Sequence, residues 1–334
     1  GVSVPNGTIM FDTAAANTLS VGLSPATSTA GADIQTDELA LLSATNLIFG
    51  NPDTAQNSVA NLLLTSFPAN ANITGLVQYN SLGSTSAFIL AKGDQTYASV
   101  EFNARDGIEF GASQTLTTTV GDIVLNADVD NTGPVGGFDD LRADTGSTVT
   151  INSKANILVT APRITESGTG KIDFSANSGA GTLTFERSFA GTIGIGDGAG
   201  GDMAISDDQL SRMSAASLTF GDTTFTTAIG VDGGDYSGLG AWTLKTTATG
   251  GVQLADATEN YSFGSLTSNT GTTTVGANIT TSGAQTYKSA VTLTGDSAFA
   301  STGGDIKFGS TINGAFGLTA NTPGVTTFGG AIGG

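Results

Sequence analysis

Thr286-Tyr-Lys-Ser-Ala-Val-Thr292, Lys307-Phe-Gly-Ser-Thr-Ile-Asn313 and Thr327-Phe-Gly-Gly-Ala-Ile-Gly333 are three copies of one phrase. Each places a ring second, then small residues, then an aliphatic residue, then a polar residue or glycine. The copies begin at positions 286, 307 and 327, so the period is short and nearly constant. A period that short holds one turn of a solenoid, with two or three strands of about five residues each. One such turn cannot bury its own apolar side, so turns must stack. The phrase therefore predicts an all-β chain, a parallel β-helix with coils of about 20–21 residues. At ~4.8 Å between stacked strands, about 16 coils would make one continuous rod of roughly 75 Å.

Composition agrees. Charged residues are 12% of the chain, about half the usual share near 25%. Lys, Glu and Arg normally cover helix surfaces, so their scarcity argues against helices. Gly reaches 48 of 334 residues. Glycine with Thr, Ser, Asn and Asp, broken by Val, Ile, Leu and Phe, suits many short strands joined by tight turns. The formal charge of −18 would repel phosphate backbones and anionic lipid, which excludes nucleic acid as a partner. The chain has no Cys and no His. That excludes disulfides, cysteine zinc sites, a cysteine nucleophile and a Ser-His-Asp triad. No run approaches the ~20 apolar residues of a membrane helix, so no membrane insertion is expected. The first residues lack the basic and apolar regions of a signal peptide. The phrase stops in mid-pattern at Gly333-Gly334, which reads as a segment of something longer.

A longer repeat lies over the short one. Ile34-Gln-Thr-Asp-Glu-Leu-Ala-Leu-Leu-Ser-Ala-Thr-Asn-Leu-Ile-Phe-Gly50 returns without a gap, about half a chain later, as Ile205-Ser-Asp-Asp-Gln-Leu-Ser-Arg-Met-Ser-Ala-Ala-Ser-Leu-Thr-Phe-Gly221. Thr36 or Asp37 is expected to cap one or two helical turns there. Thr18-Leu-Ser-Val-Gly22 is echoed by Thr192-Ile-Gly-Ile-Gly196. The chain thus divides into two tandem superunits, 1–171 and 172–334. A third pattern is aliphatic–x–Phe at 47–49, 108–110, 172–174, 183–185, 218–220 and 306–308. Residues two apart share one face of a strand, so these place Phe inside. The spacings Phe49–Phe110 and Phe110–Phe174 are each close to three times the short period, which suggests three coils. Residues 112–170 look least regular, with strands at 117–122, 122–126, 149–152 and 157–160. An acidic loop over 128–147 is expected to project from the stack.

Gly283-Ala-Gln-Thr-Tyr-Lys-Ser-Ala-Val-Thr-Leu293, Gly304-Asp-Ile-Lys-Phe-Gly309, the phrase at 327–333 and the unit at 205–221 carry a family resemblance. They resemble repeats of giant filamentous-haemagglutinin-like exoproteins. The likeness is clear over 180–334 and fainter over 18–50. It implies a right-handed parallel β-helix in a secreted bacterial surface adhesin or fibre, exported with an outer-membrane partner. Val4-Pro-Asn-Gly-Thr-Ile9 echoes the secretion domain of such proteins too faintly to imply that domain.

Candidate chemistry is sparse. Asp139 and Asp140, with Asp128, Asp130 and Asp144, are similar to the acidic cleft of β-helical pectin-degrading enzymes; Arg142, Lys154 and Arg163 are the cations in reach. Asp128, Asp130, Asp139 and Asp140 are also a weak calcium set, lacking the terminal Glu of an EF-hand loop. Solvated acidic turns are the plainer reading, with no cofactor. Threonine clusters at 117–119, 223–227 and 272–274 fall at uneven intervals and read as ordinary strand threonine. The glycine run Gly194–Gly201 has no following Lys and reads as turns rather than a phosphate loop. Asn6, Asn72 and Asn278 stand in glycosylation sequons.

The expected function is therefore structural: a non-catalytic segment of an extracellular, cell-surface fibre. Nothing after Phe328 resembles a cap, which makes Phe328 and Ile332 an assembly end whose partner is another copy, end to end or laterally. The competing reading is a spacer that presents an adhesive loop to a host or to surface glycans, and a polysaccharide-degrading enzyme is the third.

Overall fold

The computed structural model describes residues 1–12, 17–23, 31–53, 59–67, 72–83, 87–133, 140–256 and 258–333. The chain is a parallel β-helix: strands stack in parallel in every sheet, and consecutive strands turn from one sheet to the next. It forms two compact units, Gly1–Gly181 and Thr182–Gly334. The sequence boundary at 171/172 falls inside the strand Lys171–Ala176.

The first unit has three sheets. Sheet A runs through Val2–Phe11, Leu42–Phe49, Leu76–Ser81, Ser99–Ala104, Ile123–Asn126 and Ile157–Ala161. Sheet B holds Gly31–Gln35, Asn17–Leu23, Val59–Leu64, Phe88–Ala91, Ile108–Phe110, Leu141–Ala143 and Ile164–Glu166. Sheet C holds Gln95–Tyr97, Gln114–Thr118, Thr148–Ser153 and Lys171–Ala176. From Leu76–Ser81 onward the chain visits A, B and C in turn, so those coils have three sides. Alternation explains the packing. In Ile108-Glu-Phe110 both apolar residues are buried and Glu109 faces out.

The second unit begins with two sheets. Sheet D runs Thr182–Arg187, Ser217–Phe220, Gly234–Leu244 and Tyr261–Ser268. Sheet E includes Met203–Ile205, Gly191–Ile195, Thr226–Val231, Gly251–Leu254, Thr272–Val275, Val291–Leu293 and Ile312–Asn313. Strand Tyr261–Ser268 then splits its partners. Tyr261–Phe263 pairs with Ile279–Thr281, and Leu266–Ser268 pairs with Gln285–Tyr287. From there the coils are three-sided, continuing through Ser297–Ser301, Ile306–Phe308, Leu318–Asn321 and Thr326–Phe328.

The short, even coil read from the sequence describes only this last part. There Gln285 pairs with Ile306, and Ile306 with Thr326. In the first unit Leu47, Val77, Val100, Ile123 and Ile157 stack in one column, at steps of 30, 23, 23 and 34. The three-coil reading of the Phe spacing also fails: Phe49, Phe110 and Phe174 lie in sheets A, B and C. Phe49 stacks instead on Phe11 at 5.7 Å and on Tyr79 at 4.8 Å. Insertions at corners lengthen coils without disturbing the stack, so sequence distance does not count coils.

The middle is more regular than its sequence suggests. Gln114–Thr118 alternates buried and half-buried residues, and Val120 marks the exposed corner beyond it. The acidic loop ends early, because Leu141–Ala143 is a sheet B strand paired with Ile108–Phe110 and Ile164–Glu166.

The long echo marks one module at the start of each unit. In the first it is strand Asn17–Leu23, return strand Gly31–Gln35, helix α1 Thr36–Leu39 and strand Leu42–Phe49. In the second it is Gly191–Ile195, Met203–Ile205, helix α2 Asp207–Ser211 and Ser217–Phe220. Val21 pairs with Ile34 as Ile195 pairs with Ile205. The first helix starts at Gln35, whose N–H donates to Glu38 Oε2 at 2.9 Å, rather than at a Thr36 or Asp37 cap. Ser206 caps the second, accepting from Gln209 N–H at 3.2 Å. Each helix anchors one leucine, Leu39 or Leu210, into the core. Gly22, Gly50, Gly196 and Gly221 all hold positive φ at matching places, where any other residue would be strained.

Candidate functional site

Two places carry the sequence candidates: the acidic excursion after Ile123–Asn126, and the last coil. In the excursion Asp128 is buried. Asp130 turns back on itself, accepting from Thr132 Oγ1 at 2.9 Å and N–H at 3.3 Å. Its other oxygen lies 3.3 Å from Arg105 Nε. Asp140, 5% exposed, accepts from Arg163 Nε and Nη2 at 3.0 and 2.8 Å and from Thr165 Oγ1 at 2.5 Å. A buried carboxylate held that way is bound by its partners rather than open to a substrate. Asp144 accepts from Arg142 Nη2 at 3.1 Å. Asp139 lies outside the described residues.

Arg163 therefore does reach an acidic residue of the set, but as an anchor. It pins the start of Leu141–Ala143 to the next strand of sheet B. Asp130 and Asp140 are engaged by different arginines. Among the described residues no group of three His, Cys, Asp or Glu is placed to hold a metal ion.

An acidic corner that sequence reading missed lies in the second unit. The glycine run folds so that Gly198 N–H donates to Asp232 Oδ2 at 2.8 Å, while Asp207 N–H donates to Asp197 Oδ1 at 3.1 Å. Partial desolvation, then Asp197 and Asp232, push the Asp207 carboxyl above its usual range. Tyr236 donates to Asp232 O at 3.0 Å, and burial with the Asp207 and Asp232 carboxylates pushes its phenol up. Glu186 is raised by desolvation, with Asp222 adding to it. The turn reading of the glycine run holds. The acids come together because the coil brings 197, 207 and 232 to one corner, which no local spacing announces.

The last coil is the other place. Phe328 stacks face to face on Phe308, with centroids 5.4 Å apart and planes 3° apart. Ile332 bridges to Ile312. In the preceding coil Phe308 and Ile312 are 1% and 2% exposed; their successors Phe328 and Ile332 are 43% and 51% exposed. Among the described residues, strand Thr326–Phe328 pairs with Ile306–Phe308 alone, and Leu318–Asn321 with Ser297–Ser301 alone. In the first unit, among the described residues, Val2–Phe11 pairs with Leu42–Phe49.

No protein-family model matches the chain, and neither a curated protein nor a solved structure matches it.

Proposed function

We propose that this chain is a non-catalytic structural segment of a secreted bacterial surface fibre, assembling by stacking or lateral contact of β-helical rods. The observation that carries this reading is the parallel stack itself, in which coil after coil shares one apolar core and the structure extends along one direction. The surface location rests on the cysteine-free, lysine-poor composition and on the motif resemblance at 283–333.

Two observations test it. Electron microscopy of the concentrated protein is expected to show fibres; fields of isolated short particles alone would overturn the assembly reading. Incubation with polyuronides and related polysaccharides is expected to release no sugars. Product that disappears in Asp140→Asn would overturn the non-catalytic part.

A further inference from the structure

We propose that the second unit carries a lateral joint: the lysine face of sheet D on one copy docks against the acidic corner, Asp207, Asp232, Asp256 and Glu259, of a second copy. This rests on the fibre reading above and names its side-by-side contact.

The lysines are gathered on one face. Residues 182–334 hold three of them, Lys245, Lys288 and Lys307. Lys245 N–H donates to Phe220 O, Asn269 N–H to Leu244 O and Lys288 N–H to Ser268 O. These residues therefore fill one place in three successive coils, just past strands Gly234–Leu244, Tyr261–Ser268 and Gln285–Tyr287. Lys307 stands one coil further on, in register with Thr286, and points outward between the buried Ile306 and Phe308. At ~4.8 Å per coil the three lysines cover roughly 15 Å of the stack. The strand segments around them, 241–244, 265–268, 285–287 and 306–308, contain no acidic residue. Glu186 lies two coils before Lys245 in the same place and feels its charge.

The acids are gathered on another side. Asp232 lies between strand Thr226–Val231 of sheet E and strand Gly234–Leu244 of sheet D. Asp256 and Glu259 hold the same corner one coil later, between Gly251–Leu254 and Tyr261–Ser268. Asp207 opens helix α2 at the same corner, within the field of Asp232. The principal charges acting on Asp207 are Asp197 and Asp232, and those acting on Tyr261 are Asp256, Asp232 and Glu259. Carboxylates from successive coils thus crowd one corner.

One copy cannot neutralise itself. Asp232 precedes strand Gly234–Leu244 and Lys245 follows it, so the whole strand keeps them apart. Among the described residues none of the three lysines has a carboxylate within ion-pair distance, whereas Arg212 in the same unit pairs with Asp208 at 3.2 Å. Copies at −18 repel over most of their surface. The lysine face is the place where a second copy's acids are attracted instead. Both rows run along the stack at the spacing of the coils, so units lying side by side bring them together in step. Face and corner are different surfaces, so the contact is heterologous and units add sideways.

Sedimentation velocity on the whole protein over a concentration series tests the joint. Wild type should sediment faster as concentration rises, and raising salt from about 0.05 M to 0.5 M should weaken the effect. Lys245→Glu with Lys288→Glu reverses the face, and Asp207→Lys with Glu259→Lys reverses the corner. Each double variant should self-associate about tenfold more weakly or worse. Mixed one to one, the two should recover wild-type association, because the reversed face of the first meets the reversed corner of the second. Far-UV circular dichroism checks that each is folded. Lys245→Gln with Lys288→Gln, and Asp207→Asn with Glu259→Gln, are the replacements if either is not, each expected to weaken association. Association that the substitutions leave untouched, or reversed variants that do not recover on mixing, would overturn the lateral joint while leaving the fibre reading in place. Face reversal that abolishes retention on a polyuronate column and leaves self-association unchanged would assign the lysines to an anionic glycan and overturn the joint as well. A wild type that stays monomeric at every concentration would overturn both the joint and the fibre reading.

Discussion

Phe308 and Phe328 occupy the same place in successive coils, on strands of similar pattern, Ile-Lys-Phe and Thr-Thr-Phe. One is 1% exposed and the other 43%. What separates them is the coil stacked on the far side of Phe308. In a solenoid the core is shared between neighbours, so burial belongs to the stack and not to the segment. The largest prediction follows from that. Phe308→Ala should cost about 3–5 kcal/mol, as for other buried Phe truncations. Phe328→Ala should cost about 1 kcal/mol in dilute protein, because one ring face is already wet. Urea denaturation of both variants checks it; equal costs would mean that the last coil is covered in solution.

Glycine substitutions extend the comparison from side chains to backbone. Gly221 has φ 82°, and a Cβ there would stand 2.2 Å from Lys245 O in the following coil. Gly146 has φ 80°, but a Cβ there would meet nothing within 4 Å. Both alanine variants carry about 1 kcal/mol of left-handed strain. Gly221→Ala adds a clash with a neighbouring backbone and should lose about 2–4 kcal/mol in all. Thermal melts of the two should separate clearly; coinciding melts would mean that the coils yield to each other cheaply.

Polar stacking should matter less than either. Asn80 Nδ2 donates to Gly50 O and Asn103 Nδ2 donates to Asn80 Oδ1, both at 3.0 Å, inside the first unit. Asn126 stands next in register. Asn103→Ala breaks the middle of this ladder and leaves Asn80 Oδ1 without that donor, at a cost of about 1–3 kcal/mol. Asn103→Asp, which removes the donor and adds a charge near Glu101, should cost at least as much, and urea titration ranks the two.

These contrasts also show what the sequence discloses. The short phrase at 286–333 is legible because coils there are bare: no insertion separates one ring from the next. The long echo is legible because the opening module is ungapped from Ile34 to Gly50, including its helix and the glycine that ends it. Elsewhere coil length varies with corner insertions, and columns dissolve into uneven spacing. Threonine shows this well. Thr184, Thr219, Thr243, Thr267 and Thr286 are successive register partners on the outer side of sheet D, at steps of 35, 24, 24 and 19. The conspicuous clusters at 117–119 and 223–227 take no part in that row. The Asn column, at 80, 103 and 126, could have been found from its even step. Of the candidate sites, the stacking of Phe328 on Phe308 and the pairing of Ile332 with Ile312 were readable from the repeated phrase. Arg163, named among the cations in reach of the acidic set, does reach Asp140; the engagement of Asp130 by Arg105 was not readable, since that partner comes from another coil.

The smallest effect lies at the corner where coils bring like charges together. The folded chain holds Asp207 above its usual carboxyl range, through partial desolvation and the charges of Asp197 and Asp232. A carboxyl raised on folding binds its proton more tightly in the folded state than in the unfolded one, where its pKa is near 3.9. Stability from this group is therefore lowest above the raised value. It recovers as pH falls from there towards the unfolded value and is flat below. Asp207→Asn removes the charge and should raise stability at pH 7 by about 0.5 kcal/mol or less, because the group is exposed to solvent screening. The gain should vanish near pH 3 and shrink in high salt. Asp202 is the opposing control: hydrogen bonds from Thr192 N–H and Oγ1 hold its carboxyl below the usual range. Its contribution is present at pH 7 and lost as pH falls through the lowered value, so Asp202→Asn should destabilise at pH 7. Melts of the two variants at pH 3 and pH 7 should move in opposite directions. Parallel movement would show that the two corners do not differ in the way the folded coils place their charges.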